Sequence, residues 1–165
     1  MNTLSVRPAP VQRSVVVKAG LERSFAAFTG NIGRWWPRSH HIGASPLQSV
    51  VLEGRPGGRW YEVDEGGAEC EWGKVLLWEP PTRLILAWQV DANWKYDPTL
   101  VTEVEVVFTA LQGGGTRVDL EHRNLERFGD QAPRVRDAIG ADRGWLAILG
   151  SFAADTASAT DSGPA

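Results

Sequence analysis

Residues 52–88 read LEGRPGGRWYEVDEGGAECEWGKVLLWEPPTRLILAW, and the punctuation of this stretch decides the fold. A Pro56-Gly57-Gly58 turn leads into Trp60, Glu65-Gly66-Gly67 separates the next two runs, and Glu79-Pro80-Pro81-Thr82-Arg83-Leu84 opens a run that ends at Trp88. Glycine supplies the positive φ, and proline the fixed φ, of tight turns, so the runs between them are strands of an antiparallel sheet. Tryptophan is large and mostly apolar, and the chain holds 8 in 165 residues, most of them in or beside these strands. The sheet must therefore curve around something large: a packed helix, a ligand, or both.

Outward from this stretch the period-two pattern continues from Leu47 for about 75 residues. It predicts strands over 48–53, 59–64, 70–78, 83–90, 101–110 and 116–122. Asp97-Pro98 and Gly113-Gly114-Gly115 supply the remaining turns. Val104, Val106 and Phe108 share one face while Glu103 and Glu105 share the other, so one face is wet and the other meets a core. Before the meander, Val15-Val16-Val17 marks a first strand over 11–17. Leu21, Phe25 and Phe28 fall at helical spacing up to Gly30, and Asn31 can cap a second short helix through Trp35, which Pro37 stops. After the meander come a charged, weakly amphipathic segment over 124–140 and a final helix. Asp142 can cap that helix, and Trp145, Leu146, Ile148, Leu149 and Phe152 form its broad apolar stripe. The expected architecture is α+β: a curved antiparallel sheet of seven strands gripping a C-terminal helix, with two short helices after strand one.

Bulk properties bound the function. Net charge is −3, and the basic residues are scattered, which leaves no stripe for a phosphate backbone and argues against nucleic acid. The N-terminus has no apolar signal core, and no run reaches the roughly 20 apolar residues of a membrane span. A cytoplasmic protein is expected. The single Cys70 excludes an internal disulfide framework, and Glu69 and Glu71 beside it would raise its thiol pKa, so it reads as a small filler. Residues 1–10 read as an N-terminal extension, 11–154 as one domain, and 155–165, from Asp155 to Ala165, as a disordered tail with nothing to pack.

Several motifs carry a resemblance. Arg34-Trp35-Trp36-Pro37, Arg55-Pro56-Gly57-Gly58-Arg59-Trp60, Gly73-Lys74-Val75, Gly115-Thr116-Arg117-Val118 and Gly144-Trp145 are in the order found in a known bacterial family. That family comprises homologues of the C-terminal domain of the heat-shock-protein-90 ATPase activator, and it sits within the SRPBCC (START-like) superfamily. The resemblance runs over about 11–152 and implies the helix-grip fold of birch-pollen-allergen, lipid-transfer and polyketide-cyclase relatives. One scaffold serves ligand binding, cyclisation and chaperone regulation, so the fold does not choose among them.

Strand parity then selects candidate residues. Trp60, Trp88 and Phe108 share the inward face, with His122 at its rim and Trp145 and Leu149 on the helix opposite; Trp35-Trp36 would plug one end of the sheet. The expected pocket is Trp35, Trp60, Trp88, Phe108, His122, Trp145 and Leu149, acting as stacking surfaces around a small apolar or aromatic ligand. His122 and an inward Glu62 would orient a polar group of that ligand. In a polyketide-cyclase or aromatase they would instead serve as acid–base residues, the alternative being for Glu62 an ion pair with Arg59, Arg83 or Arg117. Trp72 and Trp78 fall on the outward parity and would offer a homodimer or adaptor face. Adjacent His40 and His41 point oppositely in extended chain and lack metal-ligand spacing, so neither a metal nor a cofactor is expected. No Gly-x-Ser-x-Gly frame supports hydrolase chemistry.

Overall fold

A computed structural model describes residues 8–161. The meander begins with β1 (Val11–Val17), followed by α1 (Leu21–Gly30) and α2 (Ile32–Trp35). Six strands come next: β2 (Leu47–Leu52), β3 (Arg59–Asp64), β4 (Glu69–Glu79), β5 (Arg83–Trp88), β6 (Thr102–Ala110) and β7 (Thr116–Arg123). The sheet has 7 strands in the order β1-β7-β6-β5-β4-β3-β2, with every neighbouring pair antiparallel. β1 closes beside β7, with Val11 opposite His122. This is the α+β helix-grip plan expected from the turns.

The segment over 124–140 resolves into a 3-10 stretch (Leu125–Gln131) and α3 (Ala132–Gly140). A wide turn of π type (Asp142–Leu146) then leads into α4 (Ala147–Asp161). Asp142 caps nothing with its side chain. Gly144 is needed in that turn, because a Cβ there would lie 2.1 Å from the Ile139 carbonyl oxygen. The close approach swings Trp145 beneath the sheet.

The outward parity expected for Trp72 and Trp78 is overturned by two β-bulges in β4. Trp60 pairs with Gly73 but Tyr61 with Glu71, leaving Trp72 as an extra residue. Val75 pairs with Leu86 but Leu77 with Ile85, leaving Leu76 as another. Each bulge shifts the alternation by one position. Trp72 therefore turns inward and is buried, and Trp78 packs its ring 5.1 Å from that of Phe25. The first bulge requires Gly73, since a Cβ would lie 1.7 Å from the Ala87 carbonyl oxygen of the neighbouring strand. The apolar outer patch built on these two tryptophans does not form.

Beneath the sheet Phe28, Trp35 and Phe152 pack with ring centroids 5.0–5.3 Å apart, and fully buried Leu149 joins them in the core. The outer face carries a charged ladder in which Arg123 reaches Glu103 at 2.9 Å and Glu105 at 2.5 Å. Burial works against the Glu105 carboxylate, but hydrogen bonds from Arg123 and Arg83 prevail and hold its pKa below the ordinary range.

The last helix passes the boundary expected at Ala154. Arg34 of α2 pairs with Asp155 at 2.9 Å, Thr156 is buried, and its hydroxyl donates to the Phe152 carbonyl at 2.8 Å. Alanine-rich spacing favours a helix even where no apolar stripe is visible. Residues 1–7 of the expected extension and 162–165 of the expected tail lie outside the described residues. Among the described residues no helix is long and apolar enough to cross a membrane.

Candidate functional site

A cavity of about 410 Å³ opens between β4 and β5 of the sheet and the α3–α4 connection. Tryptophans form its wall: Trp36, Trp72, Trp88, Trp94 and Trp145 all line it. Ile42, Ile139 and Ile148 complete the apolar surface, and Ser39, His40, His41 and Arg143 form its polar mouth. The wall rings brace one another at angles from tilted to edge-on, with Trp36–Trp72 centroids 5.0 Å apart and Trp88–Trp145 centroids 5.9 Å apart.

Of the residues expected to line a pocket, Trp88 and Trp145 do so. Trp60 lies behind them against Trp72 and Trp88, 1 % exposed, with its indole N–H buried and without an acceptor among the described residues. Phe108 packs under α1 on Phe25 and Phe28, while Trp35 and Leu149 belong to the core beside Phe152. Trp36 takes the place expected for Trp35. It ends α2 in an extended conformation, φ −61° and ψ 131°, as a residue before proline must, so its ring leaves the helix face and turns to the cavity. Pro37 was the available signal.

Trp94 had no strand pattern to reveal it. It sits at the tip of a loop in the left-handed region, φ 62°, rare for a bulky side chain. The Asp91 carboxylate holds the loop by accepting from the Asn93 and Lys95 amides at 2.8 and 3.0 Å. Arg134 of α3 ties the same loop down through the Ala92 carbonyl at 2.8 Å. Trp94 remains 47 % exposed at the cavity rim.

His122 is fully buried, not at a rim. Its Nδ1 accepts from the Trp145 indole N–H at 3.1 Å, which fixes the proton on Nε2, facing the Thr102 hydroxyl at 2.8 Å. Thr102 in turn donates to the Trp88 carbonyl at 3.2 Å. Burial pushes the His122 pKa down to about 3, so the ring is neutral. With both nitrogens engaged, His122 locks the two wall tryptophans together and presents no free base to the cavity.

Glu62 is also fully buried. Its Oε1 accepts from the Ile42 amide at 2.7 Å and the Trp72 indole at 2.8 Å, and its Oε2 accepts from the Gly43 amide at 3.0 Å. The arginines considered as its partners pair elsewhere: Arg59 with Glu69 and Glu71, Arg83 with Glu79 and Glu105, and Arg117 with Asp119. Glu62 therefore pins the mouth loop and one wall ring to β3. Nearby, burial above all, then Glu62 and Asp64, pushes the Cys70 thiol pKa up; the sequence neighbours Glu69 and Glu71 are not its cause.

The mouth is held by Ser39 and by the two histidines weighed above only as metal ligands. Ser39 Oγ lies 2.9 Å from His40 Nδ1, and His40 Nε2 lies 2.6 Å from the Arg143 carbonyl. The carbonyl can only accept, so Nε2 carries the proton and Nδ1 accepts from Ser39. His41 Nδ1 donates to the Gly43 carbonyl at 3.0 Å. Among the described residues no three His, Cys, Asp or Glu side chains converge as metal ligands do.

Comparison with solved structures finds the same fold. The anthrahydroquino-gamma-pyrone synthase Txn09 is 38 % identical over 90 % of this chain and 97 % of its own, with a TM-score of 0.63. CalC, a self-sacrificing resistance protein from Micromonospora echinospora, is 34 % identical over 90 % of this chain and 94 % of its own, with a TM-score of 0.66. Protein NE0264 from Nitrosomonas europaea shares the fold at 14 % identity and a TM-score of 0.62, covering 88 % of this chain and 92 % of its own. No curated protein matches the sequence. The family model described as Activator of Hsp90 ATPase homolog 1-like protein matches residues 18–155, and with the helix-grip fold now in view the chain belongs to that family.

Proposed function

We propose that the chain binds a small planar aromatic molecule in the tryptophan-walled cavity. The observation that carries this reading is the convergence of 5 tryptophans on one cavity of about 410 Å³, inside the range of roughly 300–1,000 Å³ typical of small-molecule sites. Indole faces offer large stacking area at low conformational cost. His122 and Glu62 serve from behind, by fixing Trp145, Trp88, Trp72 and the mouth loop.

Binding is tested with a fused-ring probe such as anthraquinone, followed by quenching of tryptophan fluorescence. Trp94→Ala removes a half-exposed rim ring that packs in no core. Its expected effect is about tenfold weaker binding, in line with the worth of one aromatic contact, with Tm unchanged. Trp88→Phe, which trims a wall ring, should weaken the probe as well. Equal affinity in wild type and both variants would sink the reading.

A second reading is favoured by the 38 % identity to an anthrahydroquino-gamma-pyrone synthase. Here the cavity would hold a polyketide-type substrate for cyclisation. The base would not be His122 or Glu62, which are fully buried behind the wall, but His40 at the cavity mouth, where the contact with Ser39 is exposed and rotation of that hydroxyl frees Nδ1 to take a proton. His40→Ala abolishing turnover while sparing probe affinity would separate this from simple binding. Regulation of a chaperone ATPase, the remaining alternative, loses its expected outer surface now that Trp72 is buried.

A further inference from the structure

We propose that the ligand carries an anionic oxygen, a carboxylate or ionised phenol, that docks against Arg143 at the cavity mouth; the proposal rests on the aromatic-ligand reading above. The chain as a whole is acidic, with 20 Asp and Glu against 17 Lys and Arg, yet no Asp or Glu is among the residues lining this cavity. What lines its mouth is Arg143 with His40 and His41. The mouth is thus the reverse of the surface average, and an anion entering it meets no carboxylate.

Arg143 differs from eleven of the other arginines in what its guanidinium touches. Arg34, Arg55, Arg59, Arg83, Arg117 and Arg123 each pair with a carboxylate. Arg13, Arg38, Arg127, Arg134 and Arg136 donate to backbone carbonyls. Among the described residues the Arg143 guanidinium takes no carboxylate and no carbonyl. Its backbone, in contrast, is held: the Arg143 carbonyl accepts from His40 at 2.6 Å, and Gly144 beside it admits no Cβ. A fixed backbone with an unspent five-donor fork, set where an apolar cavity opens, suits a planar oxyanion on an aromatic body. The apolar wall takes the rings and the guanidinium takes the charge, so the ligand enters tail first.

The test compares a matched pair of probes, anthraquinone-2-carboxylate and anthraquinone-2-carboxamide, which share ring system and size and differ in charge. Wild-type protein should bind the acid about fivefold tighter than the amide at low ionic strength, as a partly exposed ion contact allows, and the gap should shrink with added salt. Arg143→Gln should bring the two within about twofold of each other by lowering only the affinity for the acid. Equal binding of acid and amide to the wild type would overturn the proposal and leave the aromatic pocket standing. A preference for the acid that survives in Arg143→Gln would overturn the role of Arg143. Failure of both probes to bind would overturn the aromatic-ligand reading itself, and this proposal with it.

Discussion

Glu62→Gln should destabilise the fold by about 3 kcal/mol, read as a fall of roughly 6–12 °C in Tm for a domain of this size. The side chain is fully buried and every polar contact it makes is to a donor: the Ile42 and Gly43 amides and the Trp72 indole. A carboxylate offers two oxygens to three N–H groups. Glutamine offers one oxygen and an NH₂, so at least one buried donor then faces another donor. Each hydrogen bond to a buried charged acceptor is worth about 1.5–3 kcal/mol, and a donor left unpaired adds its own desolvation cost. The damage should be local as well, because Ile42 and Trp72 both line the cavity. Hydrogen exchange at the Ile42 and Gly43 amides should accelerate, and the aromatic probe should bind more weakly than in wild type. A thermal scan with Tm unchanged to within about 2 °C would mean that Glu62 does not hold the loop.

The same residue marks where the sequence stopped being legible. The strands were readable because each is bounded by Gly or Pro turn chemistry, and an inward Glu62 followed from its parity with Trp60. Its partners did not follow, since two of them are amides of a loop some 20 positions away and nothing in a loop sequence states where its backbone will dock. Parity failed in β4 for a different reason. A β-bulge adds one residue to one strand only, so strict alternation over 70–78 placed Trp72 and Trp78 on the wrong face. Gly73 was the available sign, since an isolated glycine in a strand marks a bulge or a close backbone approach. Here it marks both.

The cavity itself was half legible. Tryptophan content and curvature called for one, and Trp88 and Trp145 line it. Trp36, Trp94, His40 and Arg143 come from loops and from an unusual turn, segments with no period from which a direction could be derived. The exchange of Trp35 for Trp36 is decided by a single backbone angle imposed by Pro37. Trp60, Phe108, His122 and Leu149 were inward as expected, but Trp60 and His122 form a layer behind the wall, and Phe108 and Leu149 belong to the core. Parity tells which side of a sheet a residue faces, not how many layers lie between it and a cavity.

His122 should give the protein an acid limit well above the carboxylate range. Its pKa is pushed down to about 3 by burial, against about 6.5 in an unfolded chain. The unfolded state therefore binds the proton first, and stability rises with pH across this interval. Above pH 6.5 the full contribution is present. As pH falls from about 6.5 toward 3, stability drops by about 1.4 kcal/mol per unit, reaching roughly 4–5 kcal/mol. That is a large share of the 5–15 kcal/mol on which domains survive. The structure supplies the reason: a second ring proton would point Nδ1–H at the Trp145 indole N–H, donor against donor, in a site without water-exposed surface. Carboxylates held low, such as Glu105, act in a separate window, because their stabilisation is lost only below the unfolded carboxylate value near 4.5. Urea unfolding between pH 6.5 and 4.5 isolates the histidine. His122→Gln keeps an acceptor for Trp145 and a donor for Thr102 but cannot titrate. It should be less stable than wild type at pH 7 through imperfect packing, yet its stability should hardly change over those two units while wild type loses about 2–3 kcal/mol. Parallel slopes in the two proteins would show that another group carries the acid sensitivity and that His122 is not held neutral by its burial between Trp88 and Trp145.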